Sequence, residues 1–293
     1  MDQFSLLTAN CLVGNDPDAA CLETTLIGPE LEVLRRTQIA ITGGDCAPKI
    51  NQTDVSMWQT LTVQENDLIS FGKMRSGCRV YLAMRGGIDV PLLLGSRSTF
   101  VRGGFGGTSG RQLKVGDVIE GFDMPLSSVV YSMPEELIPQ FTNRIKVHVI
   151  LGPQADMFTE RGIDTFLSSQ YRVTPESDRM GYRLEGPLIE HKDRADIVSD
   201  ALLPGAIQVP KNGKPIVIMR DAQTTGGYPK IAVTITPDVS SLGQAKPNDK
   251  LEFCEITLNE AHKKLQEYNR LVKNMSKTLI KKPISNSAST LYG

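Results

Sequence analysis

Short apolar runs, each cut off after a few residues by turn chemistry, constrain this chain more than any other feature. Segments 21–27 and 31–42 are β-rich and are split by Gly28-Pro29, a hairpin signal. Further runs follow at 57–63, 67–71 and 79–84, and the second half resumes at 145–151, 171–173, 181–184 and 215–219. Strands this short, with Gly, Asn, Asp and Pro between them, fit a barrel or sandwich and not alternating βαβ units. Helical signals are few. Residues 2–13 read as a short helix that Asp2 can cap and Gly14 can stop. Residues 153–158 and 163–168 read as two more. The clearest helix spans 258–275, where Leu258, Ala261, Leu265, Tyr268 and Val272 recur every three to four residues.

Two echoes divide the chain. Val63-Gln-Glu-Asn-Asp-Leu-Ile-Ser-Phe resembles Ala245-Lys-Pro-Asn-Asp-Lys-Leu-Glu-Phe, and Val115-Gly-Asp-Val-Ile repeats its core. Each sets a polar turn before an alternating strand. Val80-Tyr-Leu-Ala-Met-Arg-Gly-Gly pairs with Val217-Ile-Met-Arg-Asp, each with an Arg at a strand end. The echoes point to two related β-domains. Prolines 125, 134 and 139 and serines 127, 128 and 132 mark the junction. The expected division is a β-domain over 1–135, a second over 136–275, and a flexible tail over 276–293, rich in Ser, Asn and Thr.

Composition narrows the function classes. The 293 residues are 40% hydrophobic and 22% charged, as in an ordinary globular protein. A net charge of −1 gives no electrostatic footprint for nucleic acid or an anionic membrane. No apolar run reaches membrane-spanning length, and Met1-Asp-Gln-Phe-Ser lacks the regions of a signal peptide. The five scattered cysteines include no C-x-x-C pair. They suit reduced thiols in the cytoplasm. His148, His191 and His262 share no metal-ligand spacing, so no metal site is expected.

Three segments hold the candidate chemistry. Residues 85–107 concentrate seven of the 26 glycines with Arg85, Arg97 and Arg102. This composition suits an anion held by guanidinium forks and close backbone, or a turn-rich region with solvated arginines. Residues 220–230, Arg-Asp-Ala-Gln-Thr-Thr-Gly-Gly-Tyr-Pro-Lys, follow an apolar strand. They supply a cation, a carboxylate, an amide, two hydroxyls, a Gly pair and a lysine, a set able to orient a polar ligand. Residues 175–187 carry Asp178 and Arg179, either paired with each other or turned toward a cleft. The chain has no G-x-S-x-G elbow, Walker loop or Rossmann fingerprint.

Taken in order, these segments resemble one known family. The matching text is Asn10-Cys-Leu-Val-Gly-Asn, Ile41-Thr-Gly-Gly, Arg85-Gly-Gly-Ile-Asp-Val-Pro, Leu94-Gly-Ser-Arg-Ser-Thr, Arg102-Gly-Gly-Phe-Gly-Gly, Ser177-Asp-Arg-Met-Gly-Tyr-Arg-Leu-Glu-Gly, Leu203-Pro-Gly-Ala-Ile-Gln-Val-Pro and Gln223-Thr-Thr-Gly-Gly-Tyr-Pro-Lys-Ile-Ala. It is similar to the carboxyltransferase-domain family, also called allophanate hydrolase subunit 2, which includes the C-type 5-oxoprolinase subunits and KipA-type proteins. The resemblance implies a mainly β fold of two tandem cyclophilin-like β-barrel domains, with a few short helices and a C-terminal helix. Members of the family usually carry a further N-terminal segment with a Gln-Asp-Leu-Gly-Arg motif, and this sequence starts inside that pattern.

The function so implied is that of one component in a larger enzyme. Free-standing members pair with a smaller B or KipI-type subunit. With a lactam-hydrolase subunit they open the lactam of 5-oxoproline to glutamate, using ATP with Mg that a partner can supply. The alternatives are a biotin-dependent carboxyltransferase component, as in urea carboxylase, and a KipA-type antagonist of a kinase inhibitor without turnover. On this reading Arg85, Asp89, Asp178 and Lys230 serve catalysis. Arg97, Arg102, Gly103, Gly104, Arg179, Gln223, Thr224, Thr225, Gly226 and Gly227 hold the anion and the small amide substrate. Cys46, with nothing nearby to lower its pKa, reads as a turn thiol.

Overall fold

A computed structural model describes residues 1–283. The chain divides into two compact units, and the main boundary falls between Gln140 and Phe141. The C-terminal unit also takes Met1–Asp2 and Ser76–Cys78. The N-terminal unit takes the chain back at Leu271.

In the C-terminal unit seven strands close into a barrel, in the order Arg144–Leu151, Lys230–Thr234, Ala206–Gln208, Ile216–Ile218, Gly181–Glu185, Gln170–Val173 and Lys250–Glu255. Neighbours run antiparallel except at the closing seam. There Arg144–Leu151 and Lys250–Glu255 run parallel over six residue pairs. Alternation along the strands drives the interior: in Gln170–Val173 only Tyr171 and Val173 are buried. Phe166 and Phe253 stack at 4.6 Å inside, and Tyr171 tilts against both. Phe166 comes from helix Glu160–Ser168, started by Thr159, whose hydroxyl accepts the Gly162 N–H.

The N-terminal unit pairs its strands differently. One antiparallel sheet runs Leu22–Thr25, Arg79–Met84, Thr37–Gly43 and Thr60–Val63. The other runs Leu31–Glu32, Leu68–Ser70, Lys49–Ile50 and Thr53–Asp54. Ile39, Ile41, Val63, Ile69, Val80 and Leu82 bury against one another between them. Helix Gln3–Leu12 packs on the first sheet, and the Thr42 hydroxyl donates to the Ser5 carbonyl at 2.8 Å.

The repeated Asn-Asp turn is the same object in both units. Asn66 and Asn248 sit at φ +68° and +76°, in the left-handed region. Asp67 Oδ2 accepts the Gln64 N–H, and Asp249 Oδ2 accepts the Lys246 N–H. Each turn then docks on a valine: Val33 exchanges backbone bonds with Asn66 and Asp67, as Val173 does with Asn248 and Asp249. The third echo has Gly116 at φ +90°, with Asp117 accepting from Lys114. A left-handed third residue is what a type II turn requires, and Pro247 in second place suits it.

The C-terminal helix spans Leu258–Lys273. Residues 276–283, expected within a tail, are placed instead. They complete a short helix, Met275–Thr278, and a strand, Ile280–Pro283, which pairs with Val129–Ser132. That strand offers an open antiparallel edge, which the Ser-rich composition does not reveal. The rest of the expected tail, 284–293, lies outside the described residues. No helix among the described residues is long and apolar enough to cross a membrane.

Candidate functional site

In the C-terminal unit two of the three segments meet. The Met219 and Asp221 N–H groups donate to the Met180 and Arg179 carbonyls at 2.9 and 2.8 Å. Arg179 returns a two-pronged bond, Nε to Asp221 Oδ2 at 2.8 Å and Nη2 to Oδ1 at 3.0 Å. This fork-to-carboxylate geometry fixes direction as well as charge. Asp178 turns its Oδ1 onto the Met180 and Gly181 N–H groups of its own turn. The two acidic and basic neighbours therefore have separate duties, and Asp221 is the partner that the sequence does not single out.

Beyond Asp221 the chain exposes Gln223, Thr224 and Thr225. Thr225–Gly226 pairs with Asp200–Ala201 as a two-residue ribbon. Leu202 N–H donates to the Thr224 carbonyl at 2.8 Å, and Ile197 N–H to the Gly227 carbonyl at 2.9 Å. Gly226 is closely approached by two side-chain ends, which a larger residue would have to displace. A Cβ there would sit 2.8 Å from Gln208 Nε2 and from Leu202 Cδ1. Gly227 has more room.

Lys230 is buried, with its Nζ 2.6 Å from Asp200 Oδ2 and 3.3 Å from the Ala201 carbonyl. The lysine bond, then the Ala201 N–H, hold the Asp200 carboxyl below its usual range. Gln154 joins them: its Oε1 accepts the Lys230 N–H at 3.2 Å, and its Nε2 lies 3.4 Å from Asp200 Oδ2. Asp200 and Gln154 come from stretches with no motif, whereas Gln208 belongs to the Leu203–Pro210 motif. Only folding brings them here.

The glycine-rich segment of the N-terminal unit corrects the uniform view of its arginines. Arg85 donates from Nε to the Pro125 carbonyl and from Nη1 to the Val13 carbonyl, both at 2.6 Å. Arg97 donates to the Val90 carbonyl and lies over the Phe122 ring at 5.3 Å. Both are tied into the fold. Arg102 is exposed and has no hydrogen-bond or ion-pair partner among the described residues. Asp89 is likewise exposed. A further pair, Arg111 with Asp117, is bidentate at 2.7 and 2.8 Å. That pairing carries the Asp117 carboxyl well below its ordinary range.

The glycines themselves mostly serve the loop. A Cβ on Gly103 would strike the Phe100 and Phe105 rings, and one on Gly106 the Ser98 carbonyl. Gly104, at φ +68°, faces open space. Cys46 is buried, and its thiol is pushed up to about 12 by burial and by the Asp45 charge. A separate concavity of about 480 Å³ opens beside residues 188–196 and 211–213. It includes none of the residues nominated from sequence.

The closed seven-strand barrel, together with the sequence that forms it, points to the class of protein. The chain belongs to the carboxyltransferase domain family, subdomains A and B, whose pattern matches residues 1–255. It is 36% identical over 277 residues to the C subunit of 5-oxoprolinase from Escherichia coli (strain K12), a match that covers 94% of this chain and 88% of that protein. Urea amidolyase of Saccharomyces cerevisiae is 32% identical over 300 residues, and there the match covers 96% of this chain but 16% of the yeast protein. The crystal structure of the Kluyveromyces lactis urea amidolyase superposes with a TM-score of 0.87 at 31% identity, over 94% of this chain and 18% of that one.

Proposed function

We propose that this chain is one component of an ATP-dependent 5-oxoprolinase that opens the 5-oxoproline lactam to glutamate with a B/KipI-type partner and a lactam-hydrolase subunit. The observation that carries this reading is similarity: the E. coli 5-oxoprolinase component is 36% identical over 277 residues, against 32% over 300 residues for the yeast urea amidolyase. Five free cysteines are in keeping with a cytoplasmic setting.

Within this reading Arg102 is the cation of the N-terminal unit left for a carboxylate or phosphoryl group, and Asp89 of the same unit can accept an N–H. In the C-terminal unit, taken by itself, Gln223, Thr224 and Thr225 offer an amide and two hydroxyls to the lactam N–H and C=O. Arg85, Arg97, Asp178 and Arg179 shape the loops that present these groups. A guanidinium held in place stabilises developing negative charge without solvent reorganisation.

ATP with Mg is part of this reading, and a partner subunit can hold it.

A second reading, a carboxyltransferase component receiving carboxybiotin from another chain, draws support from the TM-score of 0.87 to a urea amidolyase. The test is to combine the chain with its B-type and hydrolase partners and follow glutamate from 5-oxoproline and ATP. Glutamate formation supports the first reading. Carboxybiotin consumption with urea favours the second, and tight partner binding with neither favours a KipA-type antagonist.

A further inference from the structure

We propose that Asp200 is a positioning residue that latches the 223–227 loop to the barrel through the ammonium of Lys230. The consequence for substrate rests on the reading of that loop as amide-binding; the latch itself does not.

Lys230 opens the barrel strand Lys230–Thr234, and its side chain is only 6% exposed. A buried ammonium needs a counter-charge and hydrogen-bond acceptors. Asp200 supplies the charge at 2.6 Å, and Ala201 supplies a carbonyl. These two residues are the strand that pairs with Thr225–Gly226. A ribbon of two residues per side does not hold itself together in water. Backbone bonds from Leu202 to Thr224 and from Ile197 to Gly227 extend it on either side, and the ion pair ties it to a barrel residue. Gln154 bonds the Lys230 main chain and lies 3.4 Å from Asp200 Oδ2, so removing the Asp200 carboxylate takes one acceptor from its Nε2.

The geometry also reassigns Lys230. Two of its three N–H bonds are already directed at Asp200 and Ala201. Its charge acts on the ribbon first, and on any ligand through the ribbon. Exposure sets which side opens. Asp200 is 50% exposed and can turn to water, whereas Lys230 cannot.

Hydrogen exchange on the full chain tests this with Asp200→Asn, Asp200→Glu and Lys230→Met. Asp200→Asn is expected to speed exchange in 223–227 by about tenfold or more, with Ile216–Ile218 unchanged. Asp200→Glu is expected to restore most protection. Lys230→Met, which keeps the buried volume apolar, is expected to match Asp200→Asn in the loop. Unchanged loop exchange in Asp200→Asn overturns the latch, and so does an equal rise across all seven barrel strands. With partner subunits present, a raised KM for 5-oxoproline at nearly constant kcat supports the latch acting on substrate. A loosened loop with unchanged KM still supports the latch and instead removes the amide-binding role of 223–227.

Discussion

The two units share a turn but differ in closure. In each, an Asn in the left-handed region precedes an Asp that caps the turn, and a valine receives both. After the turn the paths part. Lys250–Glu255 lies between Gln170–Val173 and Arg144–Leu151, and the barrel closes. Leu68–Ser70 instead lies between Leu31–Glu32 and Lys49–Ile50, and its sheet ends at Thr53–Asp54. Across the other gap, Gln170–Val173 pairs with Gly181–Glu185 in the barrel. Leu22–Thr25 and Leu31–Glu32 are sheet edges. Leu26 at φ +63° kinks the first of these just beyond its last residue, one way of blunting an exposed edge. Four residues settle a turn; closure depends on a partner strand far along the chain.

The largest expected effect probes closure. Phe253→Ala removes a ring stacked on Phe166 and is expected to cost about 3–5 kcal/mol in urea unfolding. In a closed barrel the loss spreads, so exchange is expected to rise in all seven strands. A rise confined to Lys250–Glu255 breaks the picture of one cooperative unit.

Next comes the contrast among arginines. Arg85→Ala leaves the Val13 and Pro125 carbonyls without a charged donor and is expected to cost about 1–3 kcal/mol. Arg102→Ala touches no partner and is expected to stay within about 0.5 kcal/mol. Equal losses measured by denaturant titration erase the distinction between a tied and a free guanidinium.

The smallest effect sharpens the shared turn. Asn66→Ala and Asn248→Ala each force alanine into the left-handed region, at about 1–2 kcal/mol. Gly at either site is expected to recover most of it. A cost at only one position shows that the turns are alike in shape but not in function.

Local chemistry is legible in the sequence. The Asn-Asp echo, the Arg79–Met84 strand and the helix over 258–273 follow from spacing and turn residues alone. The glycine-rich segment stands out as unusual, but its composition does not say which arginine is free. Arg85 and Arg97 bond to carbonyls, and carbonyls leave no mark in a sequence. Asp221 is visible as a carboxylate beside the Gln223 motif, but its pairing gives no signal, because its partner lies 42 residues earlier. Asp200 and Gln154 are invisible for the same reason: each is an isolated polar residue until folding brings it to Lys230.

The proposed anion role of Arg102 and the proposed amide-binding role of the 223–227 loop are separate claims, and one measurement tests both. It is glutamate formed from 5-oxoproline and ATP by the chain reconstituted with its partner subunits, comparing wild type with Arg102→Ala and Gln223→Ala. The expected result is turnover in the wild type and a fall of about tenfold or more in each variant, with unfolding midpoints unchanged. Turnover equal to wild type in both variants contradicts it.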